Sequence, residues 1–425
     1  MMNTFPPSDY MQTESAVSGI VVYKPKPPED HDAVLDFQCP NCTATTAYST
    51  DDGGLTCASC GYHEVPEAER VGTDAEQFEF TVEALAQAVH GWGEERKELV
   101  CNNCASHTTL PVSSLTHSCP FCGSNQVVQM KAVQDVLRPR FIIPFATTTD
   151  QCRHITSEWL GDSWMLPNEL SKLGRSTEYM PIYVPFWTFD ARAKADWTAE
   201  VAYRRKALNG KYYTAWKRTK GKVRLFFDDV QEIGCQQVDS DLVKQIQPYD
   251  LDALVNYKPD FLAGIQAQAY DVPLDTAWDR ARHRMRLRTK KECKRKITRR
   301  HRNFRMDLDF QEESWRYGLL PLYIAVYYYG KKRYQVLING QTGEIAGQRP
   351  VDMRKVANWI GTLVIPALLL GLLALITVAL DVPQGVEGVA RALFSAVVIY
   401  LVFTAVYTFT LLQKANKLRS GQGVK

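Results

Sequence analysis

Between Cys39 and Cys60, and again between Cys101 and Cys122, the chain has no lysine and no arginine. Modules that grip nucleic acid do so largely by neutralising phosphates with those residues, so neither segment is expected to bind it. No basic run followed by an apolar run occupies Met1 to Tyr23, which argues against a cleaved secretory signal. No GxxxxGK[ST] phosphate loop, HExxH or GxSxG occurs anywhere in the chain. The acids Asp228, Asp229, Asp239 and Asp241 are expected in surface loops, and His154 partly exposed on a helix. Nothing here marks an enzyme.

Charge is present but segregated. Glu29 to Val100 holds sixteen Asp/Glu against three Lys/Arg, whereas Arg280 to Arg305 holds fourteen Lys/Arg against a single acid, Glu292. The basic stretch follows one helical face, Leu274, Trp278, Ala281 and Met285, and a helix is expected over 275–303. Its candidate contact residues are Arg282, Arg284, Arg286, Arg288, Lys290, Lys291, Lys294 and Arg295. Such density is expected to wrap most of the helix surface. Three readings stand for it: a solvated helix, an anionic-lipid contact, and nucleic-acid binding.

Eight of the eleven cysteines fall in two quartets of one form, CxxC-x14-CxxC. Cys39, Cys42, Cys57 and Cys60 make the first; Cys101, Cys104, Cys119 and Cys122 make the second. Two CxxC turns joined by a short β-hairpin close a tetrahedral thiolate shell, so each quartet reads as a structural zinc ribbon, giving two Zn2+ per chain. Gly61 and Gly123 each follow a fourth cysteine, where the turn asks for positive φ. Pro40 and Pro120 stiffen CPxC turns. Cys57 to Tyr62 resembles a rubredoxin loop, but the spacing and the duplication favour zinc over iron. His63, His107 and His117 are expected as surface residues, and Cys152, Cys235 and Cys293 as buried or incidental thiols.

The fold class expected is multidomain. A flexible Pro-rich leader covers 1–36, ribbon 1 covers 37–66, a helical spacer 67–98 and ribbon 2 99–130. The spacer is read from Phe78, Val82, Leu85, Ala86 and Val89, which recur at helical spacing. An α+β cytosolic domain with antiparallel sheet follows over 131–350, on alternation from Phe186 to Tyr203, a strand at Val223 to Val230 and a hairpin joining Leu320–Tyr329 to Arg333–Ile338. Trp359 to Leu380 and Ala392 to Leu412 carry no charge, and each is long enough to cross a bilayer. They are expected to form a two-helix transmembrane hairpin over 356–412, joined by Asp381 to Arg391, with a tail over 413–425. Arg349, Arg354 and Lys355 before it and Lys414, Lys417 and Arg419 after it place both ends in the cytosol, at the cytoplasmic (inner) membrane.

Tyr183-Val184-Pro185-Phe186-Trp187-Thr188-Phe189-Asp190 resembles a segment of a bacterial family of membrane-anchored double zinc-ribbon proteins (YdjG-like). The likeness extends to Arg138–Phe145, Asp260–Gly264 and Asn339–Glu344, in order, and with both ribbons covers about Gln38 to Pro350. Members of that family are often labelled primosomal replication factor Y helicases, a name that reflects ribbons alone. The resemblance implies recruitment or anchoring of phage-shock protein A-like or SPFH-like partners at the membrane. The function expected is thus a non-enzymatic membrane adaptor in envelope stress. The alternative is a membrane-tethered nucleic-acid-binding protein using the basic helix, for example in phage defence or replication.

Overall fold

The computed structural model describes residues 10–13, 22–25, 37–72, 78–79, 92, 96–111, 119–131, 137–330, 332–379 and 384–421. The first quartet lies in a three-stranded antiparallel sheet of β1 (Thr46–Ser49), β2 (Gly54–Cys57) and β3 (His63–Glu64). After β4 (Phe78–Glu79), the second quartet is carried by β5 (Arg96–Cys101), β6 (His107–Pro111) and β7 (Val127–Lys131). Then come β8 (Phe141–Ile142), α1 (Thr149–Gly161) and α2 (Leu170–Ser176), and two long strands, β9 (Met180–Lys206) and β10 (Tyr212–Ile233). The chain continues through α3 (Ser240–Gln245), β11 (Val255–Asn256), β12 (Gln266–Ala267) and α4 (Leu274–Arg295). The last elements are β13 (His301–Tyr329), β14 (Lys332–Asn339), β15 (Ile345–Gly347), α5 (Met353–Ala379) and α6 (Gln384–Ser420).

One sheet runs in the order β11-β8-β13-β9-β12-β6-β5-β7, with β10 on β9, β4 and β14 on β13, and β15 on β14. Its pairings are antiparallel except for β8 with β13 and β9 with β12. Alternation sets the faces. In β9, Trp187, Phe189, Ala191, Ala193, Ala195, Trp197 and Ala199 are buried, while Arg192, Lys194 and Asp196 between them are exposed. The alanines leave room for α4, which buries Leu274, Ala277, Trp278, Ala281, Met285, Thr289 and Cys293. Where an aromatic needs space across the ladder, a glycine faces it: Phe186 is paired with Gly318, and Trp197 with Gly221. A Cβ on Gly318 would meet Phe186 at 2.6 Å, and one on Gly221 would meet Trp197 at 2.5 Å.

Four features differ from the sequence reading. The basic helix ends at Arg295 rather than at 303, and β13 already begins at His301, because Phe304, Met306 and Leu308 turn inward at period two. The expected spacer helix is entered by a strand: Phe78–Glu79 pairs with Trp315–Ser314, while Val82, Leu85, Ala86 and Val89 lie outside the described residues. Two four-residue strands of the leader, Tyr10–Thr13 and Val22–Pro25, pair with each other. Ribbon 2 is continuous with the main sheet through Ala267, which pairs with Thr109. Burial of the second quartet is the physical reason: its cysteines join the same apolar cluster as Phe141, Ile182 and Phe186.

α5 and α6 are each long and apolar enough to cross a membrane. Leu368, Leu369, Leu372, Ile399, Val402 and Phe403 stand exposed along them. The connection is shorter than expected, since α6 starts at Gln384. At the start of α5 and the end of α6 both helices are held to the body. Val356 of α5 and Leu411, Ala415 and Leu418 of α6 pack with Met165, the Arg349 N–H donates to the Leu418 carbonyl at 3.0 Å, and the Gln245 amide donates to the Gly421 carbonyl at 2.6 Å.

A buried charge cluster sits where β9 bulges between Phe189 and Ala191. Arg316, on β13, is buried with its guanidinium 2.5 Å from Asp229 and 3.9 Å from Asp190. Asp229, expected in a surface loop, is in β10, and burial raises its carboxyl to about 6 against the pull of Arg316. Removing one partner of such a cluster leaves uncompensated buried charge. Arg316→Leu should lower stability by about 3–5 kcal/mol at neutral pH in urea unfolding. Because the folded-state pKa of Asp229 is raised, its protonation favours the fold, and that contribution is lost as pH rises through the folded value. The deficit of the variant should therefore shrink between about pH 7 and pH 5.

Candidate metal centres

All eight ribbon cysteines are brought together as the spacing requires, in two groups whose sulfurs lie within 4.8 Å of one another. The cross pairs are tight: Cys39 to Cys60 is 3.4 Å and Cys42 to Cys57 is 3.5 Å, Cys101 to Cys122 is 3.5 Å and Cys104 to Cys119 is 3.6 Å. A tetrahedral ion with metal–sulfur bonds of about 2.3 Å sets its ligands roughly 3.8 Å apart. The donor set therefore fits a four-coordinate ion at each group, with no position left for water or substrate.

Each group is built from two copies of one backbone turn. The N–H of the residue four after the leading cysteine donates to that cysteine's carbonyl: Thr43 to Cys39 at 2.8 Å, Gly61 to Cys57 at 2.9 Å, Ala105 to Cys101 at 2.8 Å, Gly123 to Cys119 at 2.8 Å. The leading cysteine's own N–H then donates to the carbonyl five residues on: Ala44, Tyr62, Ser106 and Ser124. Closing this ring forces the residue after the second cysteine of each pair to positive φ, +75° at Gly61 and +69° at Gly123, as the sequence indicates. The same turn holds Thr43 at +60° and Ala105 at +55°, where residue type gave no sign of it. Such strain persists only where the surroundings over-determine it, and a metal ion across the two turns would do so.

The two groups differ in setting. Cys42 and Cys60 of ribbon 1 are exposed, whereas Cys101, Cys119 and Cys122 of ribbon 2 are buried in the main core. Ribbon 2 also carries side-chain polar neighbours: Ser106 Oγ is 3.0 Å from Cys119 Sγ, and Asn103 Nδ2 donates to Cys122 Sγ at 3.5 Å. Ribbon 1 is fastened to the body by its far end. Asp51 accepts from the N–H of Thr149 at 2.7 Å, at the start of α1, and the Tyr48 N–H donates to the Ala263 carbonyl at 2.8 Å. His63 and His107 stand outside the shells, His107 with its Nδ1 hydrogen-bonded to the Glu98 carboxylate at 2.8 Å; His117 lies outside the described residues. Cys152, Cys235 and Cys293 are buried, and burial pushes the thiols of Cys152 and Cys235 up to about 12.

The structure separates the basic residues of α4 from these centres. Arg282, Arg286, Arg288, Lys290, Lys291, Lys294 and Arg295 are exposed, and Arg284 is half-buried against Glu232 at 2.6 Å. Charge does not wrap the helix, as the sequence density implies, because one complete face is packed on β9 and β10. A third group, this one acidic, of Asp190, Asp228 and Asp229 has the proximity of a ligand set, but Arg316 already supplies its counter-charge.

Cys57→Ser and Cys119→Ser should each lower bound metal from two ions per chain to one, read by elemental analysis. The second should unfold at much the lower temperature, because Cys119 sits in the main core and a structural metal site contributes on the order of 10 kcal/mol. Unchanged metal content in either variant would refute the ligand assignment.

No family model matches the chain. The chain is 22% identical over 335 residues to a protein of Bacillus subtilis (strain 168) described as "Uncharacterized protein YdjG", an alignment that covers 77% of this chain and 93% of that one. No solved structure matches.

Proposed function

We propose that this protein is a non-enzymatic adaptor anchored in the cytoplasmic membrane by α5 and α6, with both ends in the cytosol and a structural zinc ion in each ribbon. Zinc is favoured over iron by the duplicated fourteen-residue spacing within each quartet. By resemblance, the proteins it would recruit or anchor are phage-shock protein A-like or SPFH-like, in envelope stress.

The observation that carries this reading is the joint between the apolar helices and the body. Both helices leave an uncovered apolar surface and return to one patch, where Met165 meets Val356 and Leu418 and where the Trp164 and Trp359 rings are 5.7 Å apart. Tryptophans at such a level suit a membrane–water boundary. Ribbon 1 complements it as a docking module: it is fixed to the body, has no basic residue within its quartet, and exposes Glu64 and Glu67 beside Val65.

The protein should co-purify from detergent-solubilised membranes with a protein partner, and Cys57→Ser should lower that recovery by roughly tenfold or more, an effect of about 1.4 kcal/mol. Recovery of nucleic acid alone, with no protein partner, would sink the adaptor reading.

A further inference from the structure

From Val201 to Phe227 the chain has nine Lys/Arg and no acid. This stretch is the hairpin formed by the far ends of β9 and β10, and its turn closes with the Ala207 N–H donating to the Lys211 carbonyl at 2.8 Å. Leu208 stands wholly exposed at the apex, flanked by Arg204, Arg205, Lys206 and Lys211. Below it, the outer face of α4 adds a second basic surface. Among the described residues of that helix, carboxylate ion pairs are made by Arg284 and by Arg295, the latter with Glu292 at 2.8 Å.

The arginines around the hairpin are laid over aromatic rings. Arg204 lies 4.1 Å from the Tyr212 ring centroid, Arg302 lies 4.2 Å from that of Trp216, and Arg299 lies 4.6 Å from that of Tyr203. These cations sit over rings rather than scattered in solvent, and Arg302 is also paired with Glu200 at 2.7 Å. A two-stranded ribbon has the width that enters a nucleic-acid groove, an apolar apex serves as a wedge between base steps, and rings and guanidinium planes take stacked bases.

We infer that the β9–β10 hairpin and the outer face of α4 together form a nucleic-acid-binding surface. The bilayer of the proposed anchor is the other polyanion to weigh, and position argues against it. Strand β13 carries the hairpin's partner residue His301 at one end and Tyr327 at the other. The Tyr327 hydroxyl donates to the Gln348 carbonyl, beside the joint with α6. The strand between those two residues has a contour length of at most about 85 Å at ~3.3 Å per residue, so the hairpin meets the bilayer only where β13 lies along the membrane surface. A bilayer's surface charge is screened within about 8–10 Å at physiological salt. Only this exclusion of lipid rests on the anchor reading; the binding surface itself does not.

The test uses the full chain in phosphatidylcholine nanodiscs and fluorescent ~30-nucleotide single-stranded and duplex probes, read by anisotropy across salt. Binding should weaken by roughly 100-fold or more between about 50 and 200 mM salt. The combined variant Arg204→Gln, Arg205→Gln, Lys206→Gln and Lys211→Gln should weaken it by about tenfold or more and flatten the salt slope by roughly one for each phosphate left without its cation. Arg286→Gln with Lys290→Gln and Lys294→Gln should do the same, and Leu208→Ser should lower duplex affinity with the slope kept. Metal content measured on each variant separates a binding defect from misfolding. Absence of binding to both probes overturns the inference, as does binding that neither set of substitutions changes. Capture of phosphatidylglycerol vesicles or polyglutamate in place of the probes would reassign the surface to lipid or to an acidic protein. Protein recovery from solubilised membranes, and its loss in Cys57→Ser, stands independently of all these results.

Discussion

The antiparallel register between β9 and β13 sets the positions of almost every other part. It runs from Met180 opposite Ile324 to Val201 opposite His301, interrupted by two bulges. In its first half both faces are covered, and the ladder forms the centre of the body, with β12 and ribbon 2 extending it on one side and β8 and β11 on the other. In its second half the strands continue past the body, and among the described residues α4 covers one face. A slip of one residue would turn Trp187, Phe189 and the alanines out to solvent and bring Arg192 and Lys194 in. The charge cluster at the bulge punctuates this register: Asp190, Asp229 and Arg316 come from three adjacent strands and satisfy one another only in the observed pairing.

The two ribbons share a local design but have different relations to the body. Their turns are copies at the level of backbone hydrogen bonds, so the coordination geometry is set within some twenty residues of each quartet. What surrounds them is set elsewhere. Ribbon 1 has its own small sheet and touches the body through Tyr48 and Asp51. Ribbon 2 contributes strands to the large sheet, and Phe121 to its core. Arg96, fully buried, ties it further, donating to the carbonyls of Thr109 and Ile265 at 3.1 Å each.

The metal ligands were legible because four thiols at fixed spacing have few other uses, and because the glycines after them report the backbone they need. The long strands were legible from alternation, and α4 from Leu274, Trp278, Ala281 and Met285, all of which are buried. The end of α4 was not, since Lys and Arg have good helix propensity and mask the change to period two at Phe304. The buried Asp190–Asp229–Arg316 cluster was hidden because its members lie far apart in sequence and each looks like a surface residue. The joining of ribbon 2 to the sheet depends on a single pairing at Ala267, which no local pattern announces. The run without acids from Val201 to Phe227 was readable but diluted by the denser charge of 280–305; its meaning appears only when the hairpin places it beside α4.

The shared footing of α5 and α6 has a geometric corollary. A single helix leaving a domain can act as a swivel, so the domain samples many headings. Here the chain enters and leaves the apolar pair at one patch, held by the Arg349–Leu418 and Gln245–Gly421 hydrogen bonds and by Met165. Two attachment points remove rotation about either helix axis. In a bilayer the body would therefore keep one orientation relative to its helix pair, and the long strands would leave that pair at one angle. Orientational freedom given up during folding is freedom that no ligand has to remove on binding. Each copy, free to turn about the membrane normal, would thus carry its extended sheet at one set angle to its own helix pair.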